Sequence, residues 1–263
     1  MRSAYSDYSF TYADRLDIGK VRRSNQDRTI TCPEMGLFGV SDGMGGLRFG
    51  ERTAELTASA VPDALAHCLK NAVPGMAAED AAERLKNAIR MVSDVVFDAG
   101  NSRGSFDFGA TLSCVLLVGG HAVFGNLGDS RGYVVRKEGG ASRIDQVTTD
   151  HNLASELVSQ GKITKEEAMG HISSMQLLRF IGMEPPAGPE AFVVGIRQGD
   201  RLLLCSDGLH GMLTDEEICE IVAGGRCAED IAQSLTDAAN AAGGNDNISA
   251  VVIEVSGEDA EGA

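Results

Sequence analysis

The apolar runs at 110–118 (ATLSCVLLV) and 121–127 (HAVFGNL) are separated only by Gly119-Gly120. A two-residue glycine connection joins two strands as a tight hairpin, so these strands run antiparallel. Runs at 28–32 and 36–41, joined by Pro-Glu-Met-Gly, give a second hairpin signal. Tyr8, Phe10 and Tyr12 alternate at period two, and further β-type runs lie at 132–136, 143–148, 191–196, 201–205 and 248–255.

Helical patterns fill the gaps. Leu85, Ile89, Val92 and Val96 recur at helical spacing, so residues 78–99 form an amphipathic helix. Residues 51–70 predict a second helix, broken or bent near Pro62. Thr214-Asp-Glu-Glu217 is a capping box opening a helix at about 215–223, and a helix over 228–242 ends at Gly243-Gly244. Helices do not alternate strictly with strands. The expected fold is therefore α+β with antiparallel sheets, not a doubly wound parallel sheet. No boundary stands out, so residues 1–263 are expected to form one domain. It carries an insert at about 151–185 and an acidic tail at 256–263.

Composition narrows the function. A net charge of −15 leaves no basic footprint for nucleic acid and disfavours adsorption to an anionic membrane. No apolar stretch reaches the ~18 residues of a membrane span, and the N-terminus lacks the apolar core of a signal peptide. The six cysteines form no C-x-x-C pair and lie mostly in apolar runs. They read as reduced, mostly buried thiols of a cytoplasmic protein, not as a zinc site.

Asp42 (LFGVSDGMGG), Asp129 (AVFGNLGDSR), Asp207 (RLLLCSDGL) and Asp246 (GGNDNISAVVI) sit where strand-like runs meet turns, and Asp27 precedes the second strand. Each alone reads as a turn residue, since Asp-Gly and Asn-Asp are ordinary turn dipeptides. Yet Asp42-Gly43 and Asp207-Gly208 lead toward helices, not return strands. One sandwich could gather all five carboxylates into a cleft. They would repel unless a cation neutralised them, and no cation of the cluster's own is apparent. Hard oxygen ligands suit Mg²⁺ or Mn²⁺, and the Gly43 carbonyl could join them. Two such ions would activate a shared water for attack on phosphorus.

At these residues the sequence resembles the metal-dependent protein serine/threonine phosphatases of type 2C, the PPM family, in its compact bacterial branch. The motifs, in family order, are Gly19-x-x-Arg22-x-x-Asn25-Gln26-Asp27, Asp42-Gly43-Met44-Gly45-Gly46, Gly109-x-Thr111-Leu112, Gly128-Asp129-Ser130-Arg131, Asp150-His151, Ser206-Asp207-Gly208-Leu209 and Asp246-Asn247. The resemblance implies a four-layer α-β-β-α sandwich with two Mn²⁺ or Mg²⁺ ions at one end. By motif match, Asp42 bridges both ions and the Gly43 carbonyl binds one. Asp207 and Asp246 complete the other sphere, and Asp27 holds a metal-bound water. Asp129, with Asp207, matches a weaker third metal site. Arg22 matches the arginine that grips the substrate phosphate, which makes Arg22, Asp42 and Asp207 the expected catalytic residues.

Each assignment has an ordinary competitor. Arg22 and Arg23 could be a solvated pair, and Asp129 could cap a turn and pair with Arg131. Thr111, Asn25 and Asn247 read as supporting or turn residues, and His151 as structural. The match departs at Met44, where eukaryotic members carry a histidine proposed as the general acid. Methionine cannot donate a proton, and Leu47 follows Gly46. The 151–185 insert matches the family's variable flap, which would shape substrate choice.

The expected activity is hydrolysis of phosphoserine and phosphothreonine esters in proteins, opposed by a serine/threonine kinase, by a cytoplasmic monomer. The alternatives are a non-catalytic binding protein on the same fold and an Mg-dependent small-molecule phosphatase. A pseudo-enzyme would be expected to lose ligands, and Asp42, Asp207 and Asp246 are all present. No P-loop pattern occurs.

Overall fold

The computed structural model describes residues 3–44, 49–72, 75–101, 108–168 and 170–257. Gly45, Gly46 and Leu47, and the acidic tail from 258 onward, lie outside the described residues.

Ten strands form among them: β1 (Phe10–Asp17), β2 (Asp27–Cys32), β3 (Leu37–Asp42), β4 (Leu112–Val118), β5 (His121–Leu127), β6 (Arg131–Glu138), β7 (Ala141–Gln146), β8 (Glu190–Gly195), β9 (Arg201–Cys205) and β10 (Ile248–Val255). They make two five-stranded sheets, in the orders β1-β10-β9-β6-β7 and β2-β3-β4-β5-β8. Every pairing is antiparallel. Gly119 turns the β4–β5 hairpin at φ +53°, which glycine adopts without steric cost.

The central strands of the sandwich are apolar on both faces, and all seven residues of β4 are buried. Strands covered on both sides read as unbroken apolar runs. Between the sheets, Phe10, Val251 and Ile253 of one meet Phe38, Val115 and Phe124 of the other. The Phe10 and Phe38 rings meet edge-on, with centroids 5.5 Å apart. Helices α1 (Gly50–Leu69) and α2 (Ala78–Asn101) cover the outer face of the β3 sheet. Helices α6 (Asp215–Gly224) and α7 (Ala228–Ala241) cover the outer face of the β10 sheet. The result is the expected α-β-β-α sandwich.

Two expectations about local structure change. Helix α1 runs through Pro62 without a break. Its buried stripe of Thr53, Ala54, Thr57, Val61, Leu65 and Leu69 packs across the proline, and that burial outweighs one missing hydrogen bond. The cysteines are free, but only Cys114, Cys205 and Cys219 are buried; Cys32 and Cys68 are half-buried and Cys227 is exposed. The remaining helical signals hold. Thr214 and Glu217 form both halves of the capping box, and the Gly244 N–H closes α7 on the Ala239 carbonyl.

The sheet registers put the acidic turns at one end. Asp27 faces Asp42 across β2–β3. Cys205, just before Asp207, pairs with both Ala250 and Arg131. Thus the start of β2, the end of β3, the end of β9 and the approach to β10 share one edge of the sandwich. The insert over 151–185 contains α3 (Leu153–Ser159), α4 (Lys165–Ala168) and a 3₁₀ turn at Ile172–Met175. Its return leg is stitched to this edge by the bridges Gly43–Ala110 and Ala110–Ile181.

Candidate functional site: a carboxylate cluster at one end of the sandwich

Asp42 stands at the centre. Its backbone is pinned by Thr111: the Thr111 N–H donates to the Asp42 carbonyl (2.8 Å), and the Asp42 N–H donates to Thr111 Oγ1 (3.0 Å). Thr111 Oγ1 also lies 2.6 Å from Ser130 Oγ, which ties this sheet to the turn carrying Asp129. The Asp42 carboxyl is pushed well above the usual carboxylate range by burial first, then by the charges of Asp27, Asp207 and Asp129.

The three neighbours feel the same repulsion. Burial, then Asp246 and Asp27, push Asp207 up to about 6. Burial, then Asp207 and Asp150, push Asp129 well up. Asp27 is raised by burial, against which a hydrogen bond from Ser206 acts. That bond, from Ser206 Oγ to Asp27 Oδ2, is 2.7 Å long. The structure therefore brings Asp27, Asp42, Asp129 and Asp207 into one electrostatic group.

Asp246 sits at the rim. Arg22 Nη2 donates to its Oδ2 at 2.6 Å, and the Asn247 N–H donates to its Oδ1 at 2.8 Å. The Arg22 and Asp246 side chains are 40% and 33% exposed, so this pair meets solvent, whereas Asp27 and Asp129 are buried and Asp42 and Asp207 half-buried. The cluster therefore carries a cation of its own, contrary to the expectation from sequence. Arg22 is also not part of a solvated Arg22–Arg23 pair. Residues 18–26 form a loop with a turn at 19–21 and a bend at 23–24, not an extended strand: Asn247 Nδ2 donates to the Ile18 and Ser24 carbonyls while its Oδ1 accepts the Gln26 N–H. Gly19, at φ +75°, permits the crossing: a Cβ there would lie 2.1 Å from the Asp246 carbonyl.

Asp129 does not pair with Arg131. Arg131 forks onto Asp150, with Nη2–Oδ2 at 2.7 Å and Nε–Oδ1 at 2.9 Å. Asp129 is instead fixed by its carbonyl, which accepts from His210 Nε2 at 2.9 Å. Burial holds His210 neutral by pushing it down to about 3. His151 is structural, as expected: it is buried, and its Nδ1 accepts the Gly128 N–H. Sequence reasoning passed over His210 and quoted Ser206 only within a motif, without a role. The signal for His210 was its spacing, three residues after Asp207 in a short helix, α5 (Asp207–His210).

Do these residues fit a divalent cation? Asp27 Oδ1 and Asp207 Oδ1 are buried without a hydrogen-bond partner. Buried carboxylate oxygens without partners, in a set that raises its own pKa values, are the donor chemistry of a hard cation. Among the described residues, no three His, Cys, Asp or Glu side chains are arranged tightly enough to hold an ion as they stand. At the rim, both oxygens of Asp246 are engaged, by Arg22 and by the Asn247 N–H. The donor set fits, and Asp246 at its rim is shared with Arg22.

The comparisons agree with this geometry. Residues 20–251 match the family described as protein phosphatase 2C. The serine/threonine phosphatase stp of Listeria innocua is 33% identical over 244 residues, 91% of this chain and 94% of that one. The protein phosphatase PhpP of Streptococcus pneumoniae is 29% identical, covering 93% of this chain and 97% of its own. Among solved structures, the catalytic domain of the phosphatase PstP in complex with 2 manganese ions superposes with a TM-score of 0.74 at 31% identity, covering 94% of this chain and 98% of that one. The S. agalactiae serine/threonine phosphatase superposes with a TM-score of 0.80 at 30% identity, covering 94% of this chain and 100% of that one. With the motifs, the sandwich and the carboxylate cluster all in place, the chain belongs to the protein phosphatase 2C family.

Proposed function

We propose that the protein is a serine/threonine phosphatase that hydrolyses phosphoserine and phosphothreonine esters of other proteins, with Mn²⁺ or Mg²⁺ at the carboxylate cluster. The observation that carries the reading is the convergence of Asp27, Asp42, Asp129 and Asp207 at one sandwich end, with Arg22 at the rim. Asp27, Asp42, Asp207, Asp246 and the Gly43 carbonyl would hold two ions, and Asp129 with Asp207 a weaker third. When bound, the ions supply an activated water and charge stabilisation at the phosphoryl group.

The chain's own groups do the rest. Arg22 leaves Asp246 and offers a planar fork to two phosphoryl oxygens. Thr111 keeps Asp42 in register through its two backbone bonds. Met44 has no proton to give, and His210, neutral and bonded to the Asp129 carbonyl, is not an acid at neutral pH. Neither Met44 nor His210 is therefore set up to protonate the leaving alkoxide. A non-catalytic role is disfavoured, because a binding protein has no need of buried carboxylates that repel one another.

By the same reading, one phosphatase domain over 1–263 acts as a cytoplasmic signalling monomer against a serine/threonine kinase, and the 151–185 flap shapes substrate choice. No helix among the described residues is long and apolar enough to cross a membrane. The test is phosphate release from a phosphothreonine peptide. Activity should require Mn²⁺ or Mg²⁺ and stop with EDTA; full activity in EDTA overturns the reading. Faster release from a small phosphate monoester than from any phosphopeptide favours the small-molecule alternative.

A further inference from the structure

Ser206 follows β9 and takes the N-cap position of α5. A serine there ordinarily turns its hydroxyl back on the first N–H groups of its helix. This one makes no such bond. Its carbonyl receives the Leu209 N–H at 3.1 Å, while its hydroxyl is directed across the sandwich. Oγ donates to Asp27 Oδ2 at 2.7 Å and accepts the Ser249 N–H at 3.0 Å. Ser206, Asp27 and Ser249 are all fully buried. The two bonds are directional: the Ser249 N–H can only donate to the hydroxyl, and the ionised Asp27 carboxylate can only accept from it.

The consequence falls on Asp27. It comes from β2 in the opposite sheet, 179 residues away in sequence. The Asn25 side chain fixes its backbone by accepting the Asp27 N–H at 2.9 Å. With Oδ2 held by Ser206, rotation of the carboxylate is blocked. Oδ1 is left buried and without a partner, beside Asp42 in the β2–β3 register.

We infer that Ser206 is a positioning residue: its hydroxyl locks Asp27 across the two sheets so that Oδ1 faces the cation site. The inference rests on the metal reading above. It assigns Ser206 a role distinct from capping α5 and from filling space. A group that orients a metal-binding carboxylate typically carries 10–100-fold in metal affinity.

The test is calorimetric titration of the full-length protein with Mn²⁺, with melting temperature and steady-state kinetics on one phosphopeptide alongside. Ser206→Ala should weaken Mn²⁺ binding by about 10–100-fold. It should lower kcat while leaving KM for the phosphopeptide within about twofold, because Arg22 is untouched. Ser206→Thr, which keeps the hydroxyl, should restore binding. Ser113→Ala removes another buried hydroxyl, one without a hydrogen-bond partner in β4, and should bind Mn²⁺ like the wild type. Should Ser206→Ala fail to fold, Ser206→Cys takes its place, with a weak donor of similar shape.

Wild-type affinity in Ser206→Ala or Ser206→Cys overturns the inference. So does a Ser206→Thr protein that melts like wild type yet binds as weakly as Ser206→Ala, and so does equal weakening by Ser113→Ala. A wild-type chain that takes up no Mn²⁺ overturns the metal reading itself, and this inference with it. Wild-type uptake with no Ser206 effect overturns the inference alone.

Discussion

Asp27 and Asp246 differ in burial and in what holds them: a side chain bonds one oxygen of each, and the Asn247 N–H takes the second oxygen of Asp246. Asp27 is fully buried and bonded to the neutral hydroxyl of Ser206. Asp246 is at the rim and bonded to the charged guanidinium of Arg22. Stripping the hydroxyl from a buried acceptor costs roughly 1–3 kcal/mol, because the oxygen cannot turn to water instead. An exposed ion pair is worth about 0.2–1 kcal/mol, because solvent replaces either partner. The shorter contact, at 2.6 Å against 2.7 Å, is thus the easier to exchange. Burial, not bond length, separates the fixed half of the site from the exchangeable half.

The largest effect should come from the fixed half. Asp42→Asn should lower kcat by at least about 100-fold, since the cation site loses the carboxylate that its other members surround. The fold should survive, because an amide in place of a buried, repelled carboxylate relieves charge. Steady-state kinetics at saturating Mn²⁺, with a melting curve, check both parts. Near wild-type kcat would remove Asp42 from the reaction.

In the exchangeable half, the loss should appear in substrate binding. Arg22→Ala should lower kcat/KM by about 10–150-fold, mostly through KM, because the phosphoryl group is highly charged both before and during the reaction. Arg23→Ala is the control. Arg23 is an exposed residue one position along in the same loop, and the variant should stay close to wild type. If Arg23→Ala is the damaged one, the register of the first motif is wrong by one residue.

This division was only half legible in the sequence. The carboxylates themselves were, because each sits at a strand end and the hairpins fix which ends meet. The β4–β5 pair could be read from two glycines, and the capping box at Thr214 from four residues. What could not be read was partnership over distance. Arg22 and Asp246 lie 224 residues apart, and their contact depends on Asn247 holding the 18–26 loop. Ser206 stood in the Ser-Asp-Gly-Leu motif with no role of its own, because the carboxylate it holds is 179 residues away in sequence. Pro62 misled for the opposite reason. A local rule predicted a break, and a long buried stripe overrode it.

Raising the pH should expose the charge stored in the fixed half. Without metal, Asp207 keeps its proton up to about 6, through burial first and then Asp246 and Asp27, while the unfolded chain releases it near 4. Asp42 is raised in the same direction. The folded form therefore binds more protons through that window, and this contribution to stability is lost as pH rises through the folded pKa. His210, pushed down to about 3, acts in the opposite sense, so the comparison must be a difference between variants. In EDTA, Asp42→Asn should melt near wild type at pH 5 and several degrees above it at pH 7.5, at about 2–4 °C per kcal/mol relieved. An equal gain at both pH values would show that Asp42 is not a stored charge.

The smallest effect tests the exchange itself. If Arg22 must yield Asp246 to a cation, removing Arg22 should tighten Mn²⁺ binding, even as it weakens phosphopeptide binding. An exposed pair of about 0.2–1 kcal/mol corresponds to a gain of about 1.4–5-fold in affinity. Simple removal of positive charge would also favour a cation, but it would do so for Arg23 as well. At 0.15 M salt, screening over about 8 Å suppresses that shared background. Competition for Asp246 is a contact effect, and it survives. Calorimetric titration with Mn²⁺ should therefore find Arg22→Ala tighter than wild type and Arg23→Ala unchanged. Equal shifts in the two variants would make Arg22 a distant charge, and an unchanged Arg22→Ala would mean that Asp246 serves the guanidinium and the cation at once.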